Sequence, residues 1–221
     1  MCLAAAAGAG KTVLLYDRPT LLATLLHVIL TSGNSARVVE YVSADPALHG
    51  VAYCDFRNPD SQSLANILGS LLGQLCTQLG TFPDGLLETY QRYSKPATYS
   101  GPKPALLQEW LLGLCKQRKA HLFVDALDDT EQGYQLSEIL SHLVSRSTQL
   151  RVFLASRNNI KFQKSLQDAS RLSLEDHVAE IDNDIQRYAL HRLQSESELE
   201  WLPPAIIEMV FQSLCSKSLG V

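Results

Sequence analysis

A run of small residues near the start of the chain limits the fold more than any other feature. It reads AAAAGAGKT, and Ala5 stands where the usual phosphate-binding pattern has its first glycine. In such a loop backbone N–H groups turn around phosphate oxygens, a lysine reaches the β- and γ-phosphates, and a threonine hydroxyl ligates Mg²⁺. The alternative is a chance Gly/Ala turn before a helix. We predict a phosphate-binding loop made of Gly8, Ala9, Gly10, Lys11 and Thr12.

Two later segments supply the other parts that this loop requires. The apolar run 120–124 ends in Asp125 and is followed by ALDD. A buried strand with an acid at its end predicts that Asp125 holds Mg²⁺, directly or through water, together with Thr12. The apolar run Leu150–Arg157 ends in Ser-Arg, where a cation can sense a γ-phosphate. Each run alone also fits a core strand with a solvated polar end. The order of the loop and the two runs along the chain favours one site shared by all three.

The hydrophobic pattern alternates between strands and helices along the chain. Strands are predicted at residues 1–4, 50–56, 120–125, 150–157 and 171–174. Helices are predicted at residues 64–79, 86–93, 104–118 and 134–146, and from residue 178 onward with a break at Pro203-Pro204. This alternation predicts an α/β fold with a mostly parallel sheet covered on both faces. Lys11, Asp125 and Arg157 all follow predicted strands, and ligands bind beyond that edge of such sheets.

Composition argues against several other classes of protein. The net charge is −4, and the five cysteines and six histidines show no metal-ligand spacing. We therefore expect no nucleic-acid partner and no structural zinc. The apolar stretch at residues 21–30 is too short to span a bilayer, and the N-terminus lacks a charged signal-peptide region. The expectation is a soluble cytoplasmic protein without a membrane partner.

Several of these segments together resemble a NACHT domain. More narrowly, they are similar to the nephrocystin-type N-terminal P-loop NTPase domains of fungal NOD-like and ankyrin-repeat proteins, which belong to the STAND class. The resemblance covers the chain from the loop to residue 188 and rests on the AGAGKT loop and on residues 53–57, 71–75, 125–129 and 154–157. It implies a three-layer P-loop NTPase sandwich of the additional-strand type with five strands, and a C-terminal helical segment. In that arrangement, the Asp125 and Ser-Arg strands lie on one side of the loop strand.

The resemblance also implies a function and a domain organisation. Residues 1–176 would form the NTPase core, and residues 177–221 would begin a truncated C-terminal helical region. The core would bind Mg²⁺ with ATP or GTP and act as a signalling switch. The triphosphate form would support a homo-oligomer, with effector and repeat domains expected in a longer parent chain.

Family roles also carry over to the acidic segment and the late strand. Asp125 matches the Mg²⁺ ligand, Arg157 matches the first sensor, and Asp128 or Asp129 would polarise the attacking water. The family usually has glutamate at the position of Asp129, so we expect slow or absent hydrolysis in isolation, and weak triphosphatase activity is left open. Two alternatives are a non-catalytic interaction scaffold on a degenerate P-loop fold, favoured by Ala5 and Asp129, and a small-molecule kinase.

Overall fold

The structure is a computed structural model, and it describes residues 2–5, 45–58, 63–93, 101–157, 169–173, 176, 178–196, 199 and 201–218. Its strands are β1 (Cys2–Ala5), β2 (Leu48–Tyr53), β3 (Ala120–Asp125), β4 (Leu150–Arg157) and β5 (Arg171–Ser173). Its helices are α1 (Leu64–Leu79), α2 (Leu86–Tyr93), α3 (Pro104–Gln117), α4 (Gly133–Arg146), α5 (Val178–Ser195) and α6 (Pro204–Ser218). A short 3-10 helix, Leu127–Asp129, follows β3. The prediction of a mixed α/β fold with a parallel sheet is confirmed.

The strands form one sheet in the order β2-β3-β4-β1-β5, and each neighbouring pair is parallel. Both β3 and β4 therefore lie on the same side of β1. The register pairs Ala5 with Arg157 and Val124 with Leu154. Because the strands are parallel, the ends of β1, β3 and β4 meet at the same edge of the sheet.

The core lies mainly between the sheet and the helices α1, α3 and α4. Helix α1 forms because its apolar residues recur at helical spacing, and that stripe is buried: Ile67, Leu68, Leu71, Leu72, Leu75 and Cys76. The helix ends at Gly80, whose φ of 68° is a left-handed conformation that glycine adopts without a steric penalty. In β3, all residues from Ala120 to Val124 are buried, as expected for an interior strand of a parallel sheet. The stacked rings of Phe123 and Phe153, with centroids 4.5 Å apart, join β3 to β4.

Strand β2 lies at one end of the strand order, and two glutamine side chains of α1 cover its outer edge. Gln74 accepts the Val51 N–H (2.9 Å) and donates to the Val51 carbonyl (2.8 Å). Gln78 makes the equivalent pair of hydrogen bonds with the main chain of His49. The main-chain groups that a further strand would use at these two residues are therefore occupied by side-chain amides.

The strand predicted at residues 50–56 is wrong at both ends, because β2 begins at Leu48 and ends at Tyr53. Beyond Tyr53 the chain turns, since the Asp55 carboxylate accepts the Arg57 N–H (2.9 Å) and bonds the Arg57 guanidinium (3.0 and 3.1 Å). Such an aspartate turn competes with strand pairing. In the part of the chain that the structure describes, no helix combines the length and the apolar content needed to cross a membrane.

Candidate functional site

The predicted phosphate loop starts at Gly8 in the sequence, three positions after Ala5, the last residue of β1. Gly8, Ala9, Gly10, Lys11 and Thr12 themselves lie outside the described residues. Strand β1 ends at Ala5, and Ala5 pairs with Arg157 at the end of β4. The last described residue before the predicted loop is therefore the strand neighbour of the residue predicted to sense phosphate.

The end of β3 is held by a tight turn. The Asp125 carboxylate accepts the N–H of Ala126 (2.8 Å), and the Asp125 carbonyl accepts the N–H of Cys54 (3.0 Å). Ala126 has φ 57° and ψ 45°, the left-handed region, which costs a non-glycine residue about 1–2 kcal/mol. Ala126 and Leu127 are both buried, so a larger side chain at position 126 would meet the core. The turn carries the chain from Asp125 into the short helix that holds the next two acids.

Those two acids contact the end of β4. We call Asp128, Asp129, Ser156 and Arg157 the Asp–Arg cluster. Asp128 Oδ1 accepts the Arg157 N–H (3.0 Å) and the Ser156 hydroxyl (3.2 Å), and its Oδ2 lies 3.2 Å from Arg157 Nε. Asp129 Oδ1 lies 3.5 Å from the terminal nitrogen Nη2 of Arg157. The structure thus brings together three of the residues predicted to form the site.

The cluster is buried on its acidic side and open on its basic side. The side chain of Asp128 is 6% exposed and that of Asp129 is 13% exposed, whereas the Arg157 side chain is 51% exposed. Buried carboxylates are stabilised by the donors that surround them, and Asp128 has three such contacts. The exposed guanidinium is therefore the part of the cluster that a ligand can reach.

Three carboxylates and the guanidinium of Arg157 lie at this edge of the sheet. Asp125, Asp128 and Asp129 carry three carboxylates, and Arg157 carries the cation that contacts two of them. Within the described ranges, no group of three or more His, Cys, Asp or Glu side chains is arranged to hold a metal ion. Mg²⁺ binds well through one or two carboxylates when phosphate oxygens complete its octahedron. A lone carboxylate such as that of Asp125 could therefore hold Mg²⁺ only together with oxygens from another source, such as phosphate.

Sequence reasoning missed two contributors near the cluster. Ser156 was noted only as part of the Ser-Arg end, yet its hydroxyl bonds Asp128 and the Arg157 carbonyl (3.0 Å). Arg57 lies on the turn after β2, and its pKa is raised, first by the hydrogen bond to Asp55 and to a lesser extent by the charge of Asp129. The guanidinium of Arg57 is a second cation near the cluster, and it becomes evident only because the turn after β2 lies close to the turn after β3.

One buried histidine lies away from the cluster. Neither ring nitrogen of His121 has a hydrogen-bond partner among the described residues. Its ring instead packs edge-on against His49 (5.5 Å) and Phe153 (6.0 Å). Burial lowers the pKa of His121 from 6.5 to about 4, so the ring is neutral at pH 7. His121 lies near the start of β3, at the other end of the strand from Asp125.

The fold and the cluster define a mixed α/β protein whose parallel sheet carries acids and an arginine beyond its carboxyl edge. The family model described as nephrocystin 3, N-terminal, matches residues 21–157. The match covers more than half of the chain, so the chain belongs to the nephrocystin 3 N-terminal family. The match includes the whole Asp–Arg cluster and begins after Thr12. Neither the comparison with curated proteins nor the comparison with solved structures gave a match.

Proposed function

We propose that the chain is a P-loop NTPase module of the NACHT type that binds Mg²⁺ with ATP or GTP and acts as a nucleotide-controlled signalling switch. One observation carries the proposal: Ala5, at the end of β1, pairs with Arg157 at the end of β4. Residues 8–12 follow two residues after the end of β1, and the proposal is that their backbone amides and Lys11 lie beside the Asp–Arg cluster. The strand order supports the same reading, because β4 lies between β1 and β3 as in the additional-strand type.

Each residue has a distinct role in the proposed site. The amides of Gly8, Ala9 and Gly10 and the ammonium of Lys11 hold the β- and γ-phosphates. Thr12 and Asp125 hold Mg²⁺, which offsets the excess of carboxylates. Arg157 contacts the γ-phosphate through its exposed guanidinium, as a bidentate donor suited to phosphate oxygens.

Hydrolysis by this module is expected to be slow. The resemblance gives the water-polarising role to Asp128 or Asp129, and both acids contact Arg157. Asp129 is one methylene shorter than the usual glutamate, and a misplacement of about 1 Å can lower a rate about 10²-fold. A switch needs different affinities for two nucleotide states more than it needs fast turnover.

We place the module in a STAND or NOD-like signalling protein of the cytoplasm, of the kind found in fungi. Residues 1–176 would be its NTPase core, and residues 177–221 would begin the helical region that contains α5 and α6. In the triphosphate state the parent protein would assemble into a homo-oligomer through this module, with effector and repeat domains as its further parts.

Isothermal titration calorimetry with Mg²⁺-ATP and Mg²⁺-GTP tests the proposal. We expect saturable binding at micromolar concentrations, and a loss of at least tenfold in affinity for Lys11→Ala. The matched control is Lys116→Ala, which removes an exposed lysine at the end of α3. Equal affinity in Lys11→Ala and the parent chain would remove the loop from the site, and the absence of binding by the parent chain would overturn the proposal.

A second candidate function is a scaffold that binds partners and no nucleotide. The observation that favours it is the Asp–Arg cluster itself, in which Arg157 already pairs with both Asp128 and Asp129 without a ligand. The replacement of the first loop glycine by Ala5 points the same way. The same titration separates the two functions, because micromolar nucleotide binding contradicts the scaffold.

A further inference from the structure

The first residue of α1 is bound by a glutamine that lies just beyond the acids of the site. We call residues 125–130 the acidic turn, because they carry those three acids. Gln132 follows this turn, and its Oε1 accepts the N–H of Leu64, where α1 begins, at 2.9 Å. The two residues are 68 positions apart in the sequence. The contact therefore ties the end of the acidic turn to a helix from a distant part of the chain.

This contact caps α1 from outside the helix. The N-cap position of α1 is Ser63, a residue type that commonly bonds the free N–H groups of a first helical turn. Within the described part of the chain, Ser63 makes no such side-chain bond. The main chain of Gln132 is fixed, because its N–H bonds Thr130 Oγ1 (3.2 Å) and its carbonyl accepts the Leu136 N–H (2.9 Å). Its side chain is therefore available to bind α1.

Helix α1 is a firm attachment point for the acidic turn. Its apolar stripe is buried in the core, and Gln74 and Gln78 bond it to the main chain of β2. At the other side of the turn, the Asp128 carboxylate accepts the Arg157 N–H at 3.0 Å. The acidic turn is thus held between α1 and β4.

The backbone of the turn needs such attachments. Ala126 is in the left-handed region, and the N–H of Asp129 bonds the Ala126 carbonyl at 2.9 Å. A non-glycine residue keeps this conformation only where the surrounding structure holds it. The bond from Gln132 to α1 holds the segment that follows Ala126, and it therefore opposes the return of the turn to an ordinary conformation.

We propose that Gln132 is a positioning residue, which caps α1 and thereby holds the acidic turn in the orientation that the Mg²⁺ and nucleotide site requires. The inference rests on the proposed function, and it adds a residue to which neither the motifs nor the resemblance gives a role. Gln132 acts through the acids of the turn and not on the ligand itself. Shortening its side chain should therefore loosen the contact between Asp128 and the Arg157 N–H.

Amide hydrogen exchange, measured by NMR on the whole chain without nucleotide, tests this coupling. We expect Gln132→Ala to lower the protection of the Arg157 N–H about three- to tenfold, the range that one hydrogen bond of ordinary strength corresponds to. The N–H of Val152, in the middle of β4, should keep its protection. The matched control is Gln117→Ala at the exposed end of α3, which should change neither amide.

Two conservative variants separate positioning from a general loss of structure. Gln132→Glu keeps an acceptor at the same reach, and a carboxylate is favourable at a helix N-terminus, so the Arg157 N–H should stay protected. Gln132→Asn is one methylene shorter and should lose protection as Gln132→Ala does. Equal losses in the Glu and Ala variants would overturn the inference. Equal losses at Arg157 and Val152 would also overturn it, because they would indicate a merely structural role.

Calorimetric titration with Mg²⁺-ATP tests whether the position of the turn matters to the site. Gln132→Ala should bind about three- to tenfold more weakly than the parent chain, and Gln117→Ala should bind as the parent does. Equal affinities in the two variants would contradict the positioning role. Failure of the proposed function gives a different result, since the parent chain would then bind no nucleotide while the exchange rates still report whether Gln132 holds the turn.

Discussion

The two glutamines that cover the edge of β2 lead to the sharpest prediction about the fold. Residues His49 and Val51 are two apart on a strand, a separation of about 6.6 Å. Gln74 and Gln78 are four apart on a helix, a rise of about 6 Å. This match of spacing lets one helix face bond both residues, with side-chain amides at an edge where the described part of the chain has no further strand.

The expected losses in the free energy of unfolding follow from the two hydrogen bonds that each glutamine side chain makes with β2. A hydrogen bond contributes about 0.5–1.5 kcal/mol net, and less where water can replace the lost partner. The Val51 bonds are partly buried and the His49 bonds are exposed. We therefore expect Gln74→Ala to lower the free energy of unfolding by about 1–2 kcal/mol, Gln78→Ala by about 0.5–1 kcal/mol, and the double variant by about 2–3 kcal/mol.

Urea denaturation measures these losses, and size-exclusion chromatography measures association, because an uncovered strand edge pairs with other chains. The control is Gln117→Ala at the exposed end of α3, which makes the same change of helix propensity and should alter stability by less than about 0.5 kcal/mol. If Gln74→Ala and Gln117→Ala have equal stability, and the double variant remains monomeric at high concentration, the amides do not protect the edge.

The remaining predictions concern pH and two glycines. The folded pKa of His121 is about 4, below its ordinary 6.5, so the unfolded chain binds a proton that the folded chain excludes. The contribution of His121 to the free energy of unfolding should be fully present above pH 6.5 and fall by about 3 kcal/mol between pH 6.5 and 4. The variant His121→Leu should therefore flatten that part of the curve of unfolding free energy against pH. An unchanged slope would contradict the assignment of this pH dependence to His121. Gly50→Ala should destabilise by about 1–3 kcal/mol, because the added Cβ would lie 2.9 Å from Leu122 Cδ2. Gly73 is exposed on α1, and a Cβ added there would have no neighbour within 4 Å, so Gly73→Ala should raise the melting temperature. Equal effects of Gly50→Ala and Gly73→Ala on stability would refute the packing argument.

The sequence predicts the elements whose pattern is local and repeated. The leucine stripe of α1 and the apolar run of β3 have the right period over enough residues, and both elements have the predicted bounds. Parallel pairing of the strands follows from their alternation with helices. The resemblance to the nephrocystin-type family is confirmed by the match over residues 21–157, which does not include the AGAGKT loop.

Features that depend on contacts between distant residues are not predictable in this way. The end of β2 at Tyr53 depends on whether Asp55 bonds its own turn or leaves the strand to continue. The lack of hydrogen bonds from described residues to the His121 ring nitrogens depends on which side chains surround the start of β3. The hydrogen bonds that Asp128 accepts from the Ser156 hydroxyl and the Arg157 N–H form only when β4 lies beside the short helix that follows β3.

A structure of the chain with Mg²⁺ and a non-hydrolysable ATP analogue tests the central claim most directly. The account predicts the γ-phosphate at the carboxyl edge of the sheet, bonded by both Lys11 and Arg157, with Mg²⁺ beside Asp125. A nucleotide bound elsewhere, or Lys11 and Arg157 on separate cavities, would contradict it.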